Sequence, residues 1–282
     1  MIEGQPSGTA ERVAVERAAH QVLDSPLVLV DSLALRIIDP AHASGLRTHP
    51  QRHDASPINR ITRAIVVVRS RIAEDEIARA AAAGVAQYVV LGAGLDTFAY
   101  RNPHPLVRVF EVDYAATQQH KRARLASASI DIPDNLTFVS CDFTTETALT
   151  ALRNAGFDPT RPAVFAWLGV VMYLERASVM QTLADIASLP AGTSVVFDYA
   201  VPPESLPWVT RIIYRRILAR VAAAGEPWQS FYEPTTLRAD LVTLGFSEID
   251  DLGNDEINRR YLAGREDGLQ SGSVGRIVVA RR

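Results

Sequence analysis

The 282-residue chain has one cysteine, Cys141, no marked excess of either charge, and no apolar run long enough to cross a bilayer. Each shortage removes a class of function. A lone cysteine cannot build an intrachain disulfide framework. With 29 basic against 32 acidic side chains the net charge is −3, and the arginines are dispersed. Such a chain offers no field for a polyanion, so neither nucleic acid nor a membrane surface is expected as a partner. No succession of basic, apolar and small residues opens the sequence, so neither secretion nor a membrane span is indicated and the cytoplasm is the expected compartment. There is no Gly-x-Ser-x-Gly elbow and no phosphate-loop lysine motif, which disfavours hydrolase and nucleotidase chemistry. His49 and His53 are four apart, but Pro50 follows the first and no third ligand is in view, so no metal site is expected. No repeat is visible, and the alanine-rich stretch from Ala78 to Ala86 is ordinary helix composition.

What is present is an alternation of short apolar runs with amphipathic stretches. Strands are expected at Gln87–Leu91, Val107–Val112, Leu136–Ser140, Ala163–Trp167 and Ser194–Tyr199, with helices near Ala115–Ser127, Glu146–Asn154 and Arg176–Ser188. This order implies a mostly parallel sheet with helices on both faces and a ligand at the carboxyl ends of its strands. Ahead of the first strand, a helix from Thr9 stopping before Pro26 and a shorter one from Val28 to Ile38, ended by Asp39-Pro40, are expected to form a cap over that strand. Ser56-Pro57 reads as the start of a further helix, in one or two pieces, that stops at Gly84. After Pro202, Pro203 and Pro207 come a helix from Trp208 to Ala224, another from Pro234, and strands at Phe246–Leu252 and Arg276–Ala280 joined by a polar loop. The expected division is a helical cap over 9–56, a cofactor-binding core over 57–200, a helical lid over 201–235, and a closing helix with an edge hairpin over 236–282. At this length the whole is one α/β domain with additions.

The most informative stretch is Gln87 to Arg101, QYVVLGAGLDTFAYR. An apolar strand enters Gly92-Ala93-Gly94, a turn that lets a backbone approach a ligand. A dinucleotide site needs a third small residue so that the pyrophosphate can rest on the next helix; here Thr97 stands there, with Asp96 beside it. A carboxylate repels a pyrophosphate but suits the ammonium and sulfonium of S-adenosylmethionine, which is the expected cofactor. Nineteen residues after Gly94, Asp113 ends the next strand at the spacing of a ribose-diol ligand, with Glu111 on the same strand face as the alternative. The third strand ends in Cys141-Asp142-Phe143. There Asp142 is expected to accept from the adenine amine and the Phe143 N–H to face a ring nitrogen. Cys141 is expected to be a small buried residue.

These residues also carry a resemblance. The segments VVVRSRIAEDEIARAAAAGVAQYVVLGAGLDTFAYR, FEVDYAATQQHK, WLGVVMYL, GEPWQSFYEP and NRRYLAGREDGL are similar to the leucine carboxyl methyltransferase family, and within it to the bacterial branch of S-adenosylmethionine-dependent O-methyltransferases. The similarity runs from about Thr9 to the end of the chain. It implies a class I methyltransferase fold, Rossmann-like, with a seven-stranded mostly parallel sheet and an antiparallel edge strand, and methyl transfer to an oxygen of a small-molecule acceptor. It also implies that Arg69, on the helix before the first strand, grips the methionine carboxylate, a role suited to a planar guanidinium; the alternative is a solvated helix arginine. Leu168 is counted with the cofactor contacts. Where much of the family has a glutamate, this chain reads Leu168-Gly169-Val170-Val171-Met172-Tyr173-Leu174, so that glutamate's role does not transfer. Tyr173 either lines the acceptor position or is a buried aromatic.

Methyl transfer from a sulfonium is an in-line displacement that needs placement and exclusion of water. A carboxylate acceptor needs no base, whereas a hydroxyl does, and no base is evident at the family's reactive position. A carboxylate or an acidic hydroxyl is therefore the expected acceptor. In the lid, Trp208, Trp228, Phe231 and Tyr232 could enclose a flat substrate and Arg211, Arg215, Arg216 and Arg220 an anion. The simpler reading makes Val209, Ile212, Ile213, Ile217 and Val221 a core-facing stripe and the arginines its solvated face. A nicotinamide oxidoreductase and a non-catalytic binder of S-adenosylmethionine are the competing functions.

Overall fold

In a computed structural model, residues 8–142, 146–223 and 225–282 are described, apart from the side chains of Ile213 and Arg220. The chain begins with α1 (Gly8–Leu23), α2 (Ala34–Ile37), α3 (Pro40–Thr48), α4 (Pro50–Asp54) and the long α5 (Pro57–Ala82). The alternating part follows: β1 (Gln87–Leu91), β2 (Arg108–Asp113), α6 (Ala115–Ser127), β3 (Leu136–Ser140), α7 (Ala148–Asn154), β4 (Val164–Trp167), α8 (Arg176–Ala187) and β5 (Ser194–Ala200). Last come α9 (Trp208–Ala223), α10 (Pro234–Leu244), β6 (Glu248–Leu252), α11 (Asn254–Tyr261) and β7 (Gly275–Arg281). Among the described residues no helix is long and apolar enough to cross a membrane.

The described strands form one seven-stranded sheet in the order β3-β2-β1-β4-β5-β7-β6. β1 to β5 pair in parallel, and β7 runs antiparallel between β5 and β6, so the expected antiparallel pair closes that edge. Its connection holds α11, where the sequence suggests only a polar loop. Asn254-Asp255-Glu256 puts acids in the first turn and Arg259 and Arg260 sit in the last, which suits the helix dipole. Successive strand residues face opposite layers. Val89, Leu91, Phe110, Phe165 and Phe197 pack with α7 and α8, while Tyr88, Val90, Val109, Ala166 and Val196 pack against Val67, Val68, Ile72 and Ile77 of α5. β1 and β4 are neighbours from which the chain is wound outward in both directions, and such a switch point leaves a crevice at the strand ends.

The long helix α5 runs in one piece. Pro57 occupies its first turn, but the Ser56 hydroxyl makes no cap bond; the Ser56 carbonyl accepts from Asn59 and Arg60 instead. At the far end Gly84 has φ +89°, and Val85 N–H returns to the Ala80 carbonyl, closing the helix as expected of a glycine stop.

The region before α5 departs from its apolar pattern. The stretch Val28–Ile38 is helical only over Ala34–Ile37. The N–H groups of Val28 and Leu29 bond to Nε2 of the buried His20, and Leu33 N–H bonds to Asp31, so side chains satisfy the donors a helix would have used. Because Nε2 accepts, His20 carries its proton on Nδ1, 2.7 Å from Asp24. Asp39-Pro40 does not merely end this stretch; Asp39 caps α3 by accepting from Ala41 N–H, with Pro40 in the first turn. His53 lies on the short helix α4, which His49 precedes, and meets Glu16 at 3.0 Å.

The cap is fastened to α5 by a buried arginine. Arg63 donates to Asp24 at 2.8 and 3.0 Å and to Asp54 at 2.7 Å. Replacing it leaves the buried Asp24 without its guanidinium partner, while Asp54 keeps Arg60 at 2.7 Å, so Arg63→Met is expected to cost about 3–5 kcal/mol in chemical denaturation. Hydrogen exchange in α1 and α4 should accelerate before that in the sheet; an unchanged midpoint would contradict the assignment.

Candidate functional site

At the end of β1 the chain turns through Gly92 (φ +70°) and Gly94 (φ +43°), conformations that side chains other than glycine rarely adopt. Gly92 has a second constraint, since a Cβ there would overlap Cγ2 of Val170 from the loop after β4. Two carbonyl-directed bonds, Gly92 N–H and Ala93 N–H to Val112, hold the turn on β2. Asp113 completes it: Oδ2 accepts from Gly94 N–H at 2.7 Å and Oδ1 from Tyr114 N–H at 2.8 Å. Burial pushes the Asp113 carboxyl above its usual range, against the pull of those two amides. Only a four-residue 3-10 helix, Phe98–Arg101, follows the turn, begun by Phe98 N–H bonding to the Asp96 side chain.

Above this turn lies a cavity of about 700 Å³. It is lined by Gly92 to Asp96, Asp113, Tyr114 and Thr117, with Arg69, Ser70 and Glu74 from α5 and Arg17 from α1. Leu168 to Val170, Tyr173, Leu174, Glu175 and Ser178 line it too, with Gly225 to Pro227 and Gln229 from the segment after α9. Thr9, Ala10 and Val13 of α1 contribute as well.

Both arginines of the lining are matched by aspartates behind the wall. Arg69 donates to Asp198 of β5 at 2.8 Å, and the same carboxylate accepts from Gly169 N–H at 2.6 Å. Gly169 has φ +72°, and a Cβ there would lie 2.7 Å from the guanidinium, so the glycine makes room for Arg69. Arg17 donates to the Leu95 carbonyl at 2.5 Å and pairs with Asp31 at 2.8 Å. Asp31 also accepts from the Thr97 hydroxyl at 2.6 Å and lies 3.3 Å from Arg101, whose other nitrogens hold Glu74. Burial pulls Asp31 upward, but Arg17 and Arg101 outweigh it and hold the carboxyl below its usual range; for Glu74 burial prevails and the carboxyl rises.

The segment after α9 is joined to the loop after β4 by hydrogen bonds to main-chain carbonyls. Gln229 and Ser230 N–H both bond to the Met172 carbonyl, at 2.7 and 3.3 Å, and the Gln229 side chain reaches the Tyr173 carbonyl at 2.8 Å. Trp228 packs edge-on against Tyr173 with ring centroids 6.4 Å apart. Glu226 receives the Thr9 hydroxyl and lies 3.7 Å from Arg12, so this segment and α1 meet over the cavity.

The structure thus brings Arg69, Gly92, Ala93, Gly94, Asp96, Asp113, Leu168 and Tyr173 to one cavity. Glu111, the alternative to Asp113, is not in its lining. It is wholly buried beneath, 2.7 Å from Lys121 and bonded to the Tyr100 hydroxyl, because a side chain two residues earlier on the strand points into the helix layer rather than to the strand end. Asp142 stands two residues past β3 outside the lining, and Phe143 lies outside the described residues. Cys141 is buried, its thiol pushed up to about 12 by that burial. None of Trp208, Trp228, Phe231 and Tyr232 lines the cavity. The core-facing stripe expected on α9 is also displaced. Trp208, Val209 and Ile212 are exposed, Ile217 and Val221 are partly buried, the Ile213 side chain lies outside the described ones, and the buried position among those described is Tyr214, packed on Trp228 and Phe231. A helix apolar on several faces leaves the choice of face to such tertiary contacts.

Sequence reasoning missed Arg17, Glu74, Glu175, Ser178, Glu226 and Gln229. Glu226 and Gln229 do lie in GEPWQSFYEP, a segment that carries the family resemblance, but nothing in their spacing shows that it folds over the cavity.

Comparison with known proteins agrees with this geometry. Residues 10–187 match the family described as leucine carboxyl methyltransferase. The chain is 30% identical over 293 residues to the "Putative S-adenosyl-L-methionine-dependent methyltransferase YktD" of Bacillus subtilis, covering 96% of each protein. A protein of the same description from Mycobacteroides abscessus is 35% identical over 202 residues, 70% of this chain and 66% of that one. Among solved structures, a "putative methyltransferase" from Thermobifida fusca superposes over the whole chain and 96% of its own, with a TM-score of 0.55 at 17% identity. That likeness is one of fold, the class I methyltransferase fold.

Two outcomes test the site. Gly92→Ala is expected to destabilise the protein by about 1–3 kcal/mol through overpacking and its positive φ; adding Val170→Ala should restore the steric part, measured as a double-mutant cycle. Burial pushes the Glu111 carboxyl up to about 7 against the attraction of Lys121. Its folded pKa lies above the unfolded one, so its contribution to stability is complete below pH 4.5 and is lost as pH rises to about 7. Wild type should therefore lose stability across that window relative to Glu111→Gln; parallel pH profiles would show that Glu111 is ionised throughout.

Proposed function

The chain belongs to the leucine carboxyl methyltransferase family, and from that premise we propose that it transfers a methyl group from S-adenosylmethionine to an oxygen of a small molecule, a carboxylate or an acidic hydroxyl. The observation that carries this reading is Asp113, a strand-end carboxylate that fixes the Gly92–Gly94 turn and opens on the cavity at the switch point between β1 and β4. A cavity of about 700 Å³ has the size of a cofactor-and-substrate site.

The residues present fit the cofactor. Asp113 retains acceptor capacity beyond its two amide bonds and the Thr117 side chain and is assigned the ribose diol. Arg69, with a fork of donors of which one meets Asp198, is assigned the methionine carboxylate. The carboxylates of Asp96 and Glu74 in the same lining suit the ammonium and sulfonium. The adenine is assigned to the neighbouring end of β3, where Asp142 stands. S-adenosylmethionine, when bound, supplies a methyl group made electrophilic by its sulfonium. The protein's part is to hold the acceptor in line and keep water out, for which Tyr173, Leu174 and the Gly225–Gln229 segment form the facing wall.

A nicotinamide dinucleotide fits less well. Its pyrophosphate would need a helix N-terminus at the turn, but the chain offers a single 3-10 turn, with Asp96 ahead of it.

Calorimetry decides between the two. S-adenosylmethionine and S-adenosylhomocysteine are expected to bind and NAD not to, and Asp113→Ala should weaken S-adenosylhomocysteine by at least tenfold, about 1.4 kcal/mol. Binding of NAD alone, or an Asp113→Ala affinity equal to wild type, would refute the reading.

A further inference from the structure

Asp113 and Glu111 stand two residues apart on one face of β2, and Thr117 and Lys121 one turn apart on one face of α6, so the two elements meet as a pair of rungs about 6 Å apart. The Gln118 side chain fixes that spacing by donating to the Glu111 and Val139 carbonyls, at 3.1 and 2.7 Å. The upper rung, Asp113 with Thr117, opens on the cavity. The lower rung, Glu111 with Lys121 at 2.7 Å, is sealed, each side chain being 1% exposed. Tyr100 adjoins both, its hydroxyl 3.2 Å from the Glu111 carboxyl and its ring 5.4 Å from the Lys121 ammonium. Neither Glu111 nor Lys121 lines the cavity.

Two buried acids thus share one buried cation. Glu111 is wholly buried and its Oε1 has no hydrogen-bond partner among the described residues, a poor place for a charge. Asp113 spends both oxygens on amides, Oδ2 on Gly94 N–H and Oδ1 on Tyr114 N–H. A proton on either oxygen would weaken an anchor of the turn and take an acceptor position from the ribose. Asp96 in the turn, Tyr100, Tyr114, and Cys141 and Asp142 past β3 are acids and offer no countercharge, while Arg122 stacks on Phe138 with its guanidinium 3.9 Å from the ring centroid. Burial raises the Asp113 carboxyl, and the two amides and the Lys121 ammonium oppose that rise. Resting on the assignment of Asp113 to the ribose, we infer that Lys121 is a positioning residue for the cofactor: without touching it, the ammonium keeps Asp113 an acceptor for the ribose diol and for the turn. A proton taken up by this group of side chains goes to Glu111 instead.

The probe is S-adenosylhomocysteine, its affinity measured by calorimetry from pH 5 to pH 8 on wild type and variants. Removing the cation makes Asp113 easier to protonate, so its acceptor form is lost at a higher pH. In Lys121→Met the deficit against wild type should therefore grow as pH falls, from less than about twofold at pH 8 to about fivefold or more at pH 5. Glu111→Gln loosens the same buried pair but keeps the cation, so its profile should not move upward. That contrast separates the charge of Lys121 from the packing it shares with Glu111. A Lys121→Met deficit that does not vary with pH, or the same upward movement in both variants, is a packing effect and overturns the inference. A Lys121→Met profile equal to wild type overturns it as well.

Glu74, a lining carboxyl also raised by burial, titrates alike in every variant, so the difference between profiles is what counts. If Lys121→Met does not fold, the double variant Lys121→Met/Glu111→Gln, which leaves no charge on the lower rung, takes its place. It should show the same upward movement, and a profile equal to wild type would again overturn the inference. If wild type binds no S-adenosylhomocysteine at any pH, the cofactor reading fails first and takes this one with it.

Discussion

A carboxylate with no exposure to water, Asp31, joins three parts of the chain that are far apart in sequence. It takes Arg17 from α1, the Thr97 hydroxyl from the turn after β1, and Arg101 from the 3-10 helix that follows. Burying an ion is costly unless its acceptor positions are filled, and here two guanidinium groups, a hydroxyl and the Leu33 amide fill them. The consequence is geometric. α1 cannot lift from the sheet without exposing this cluster, so its Thr9, Ala10 and Val13 are part of the cavity wall and not an accessory to it. The same cluster sets the turn, because Arg17 holds the Leu95 carbonyl directly.

The cavity's electrostatics follow from where neutralisation occurs. Arg69 and Arg17 are compensated from outside by Asp198 and Asp31, and Asp113 by main-chain amides, so ligand charge meets groups whose orientation is already set. Preorganised groups lose little on binding, so such a site can hold a flexible charged ligand in one pose. The glycines serve the same end. Gly92 lets the turn approach Val170, and Gly169 lets a peptide lie against the Arg69 guanidinium.

Much of the core was legible because its signals are local. The strand-turn stretch Gln87 to Arg101 and the acid at Asp113 lie within one β-turn-β unit, where spacing alone implies contact. The parallel order followed from alternation of strand and helix. The cap resisted for a definite reason: Val28 to Leu33 is apolar enough for a helix, but its amides belong to His20 and Asp31, which no periodicity reveals. Nor does a pattern show that Glu226 meets Thr9, a contact made across 217 residues. Glu111 illustrates the limit on strands, where a shared face does not mean a shared ligand: two positions of offset separate the strand end from the sheet interior, and there Lys121 claims the carboxylate. On α9 the apolar residues surround the helix, so its inner side is read from the contacts of Tyr214.

The cavity wall formed by the segment after α9 is suspended from the core by its backbone. Gln229 and Ser230 amides hang on one carbonyl, that of Met172, and Tyr232 N–H hangs on Ala200. Main-chain attachment of this kind is blind to side-chain identity. Evolution can exchange the groups projecting from Glu226, Pro227 and Gln229 while their register over the cavity persists, so relatives with one scaffold can diverge in what they modify without re-solving the problem of folding.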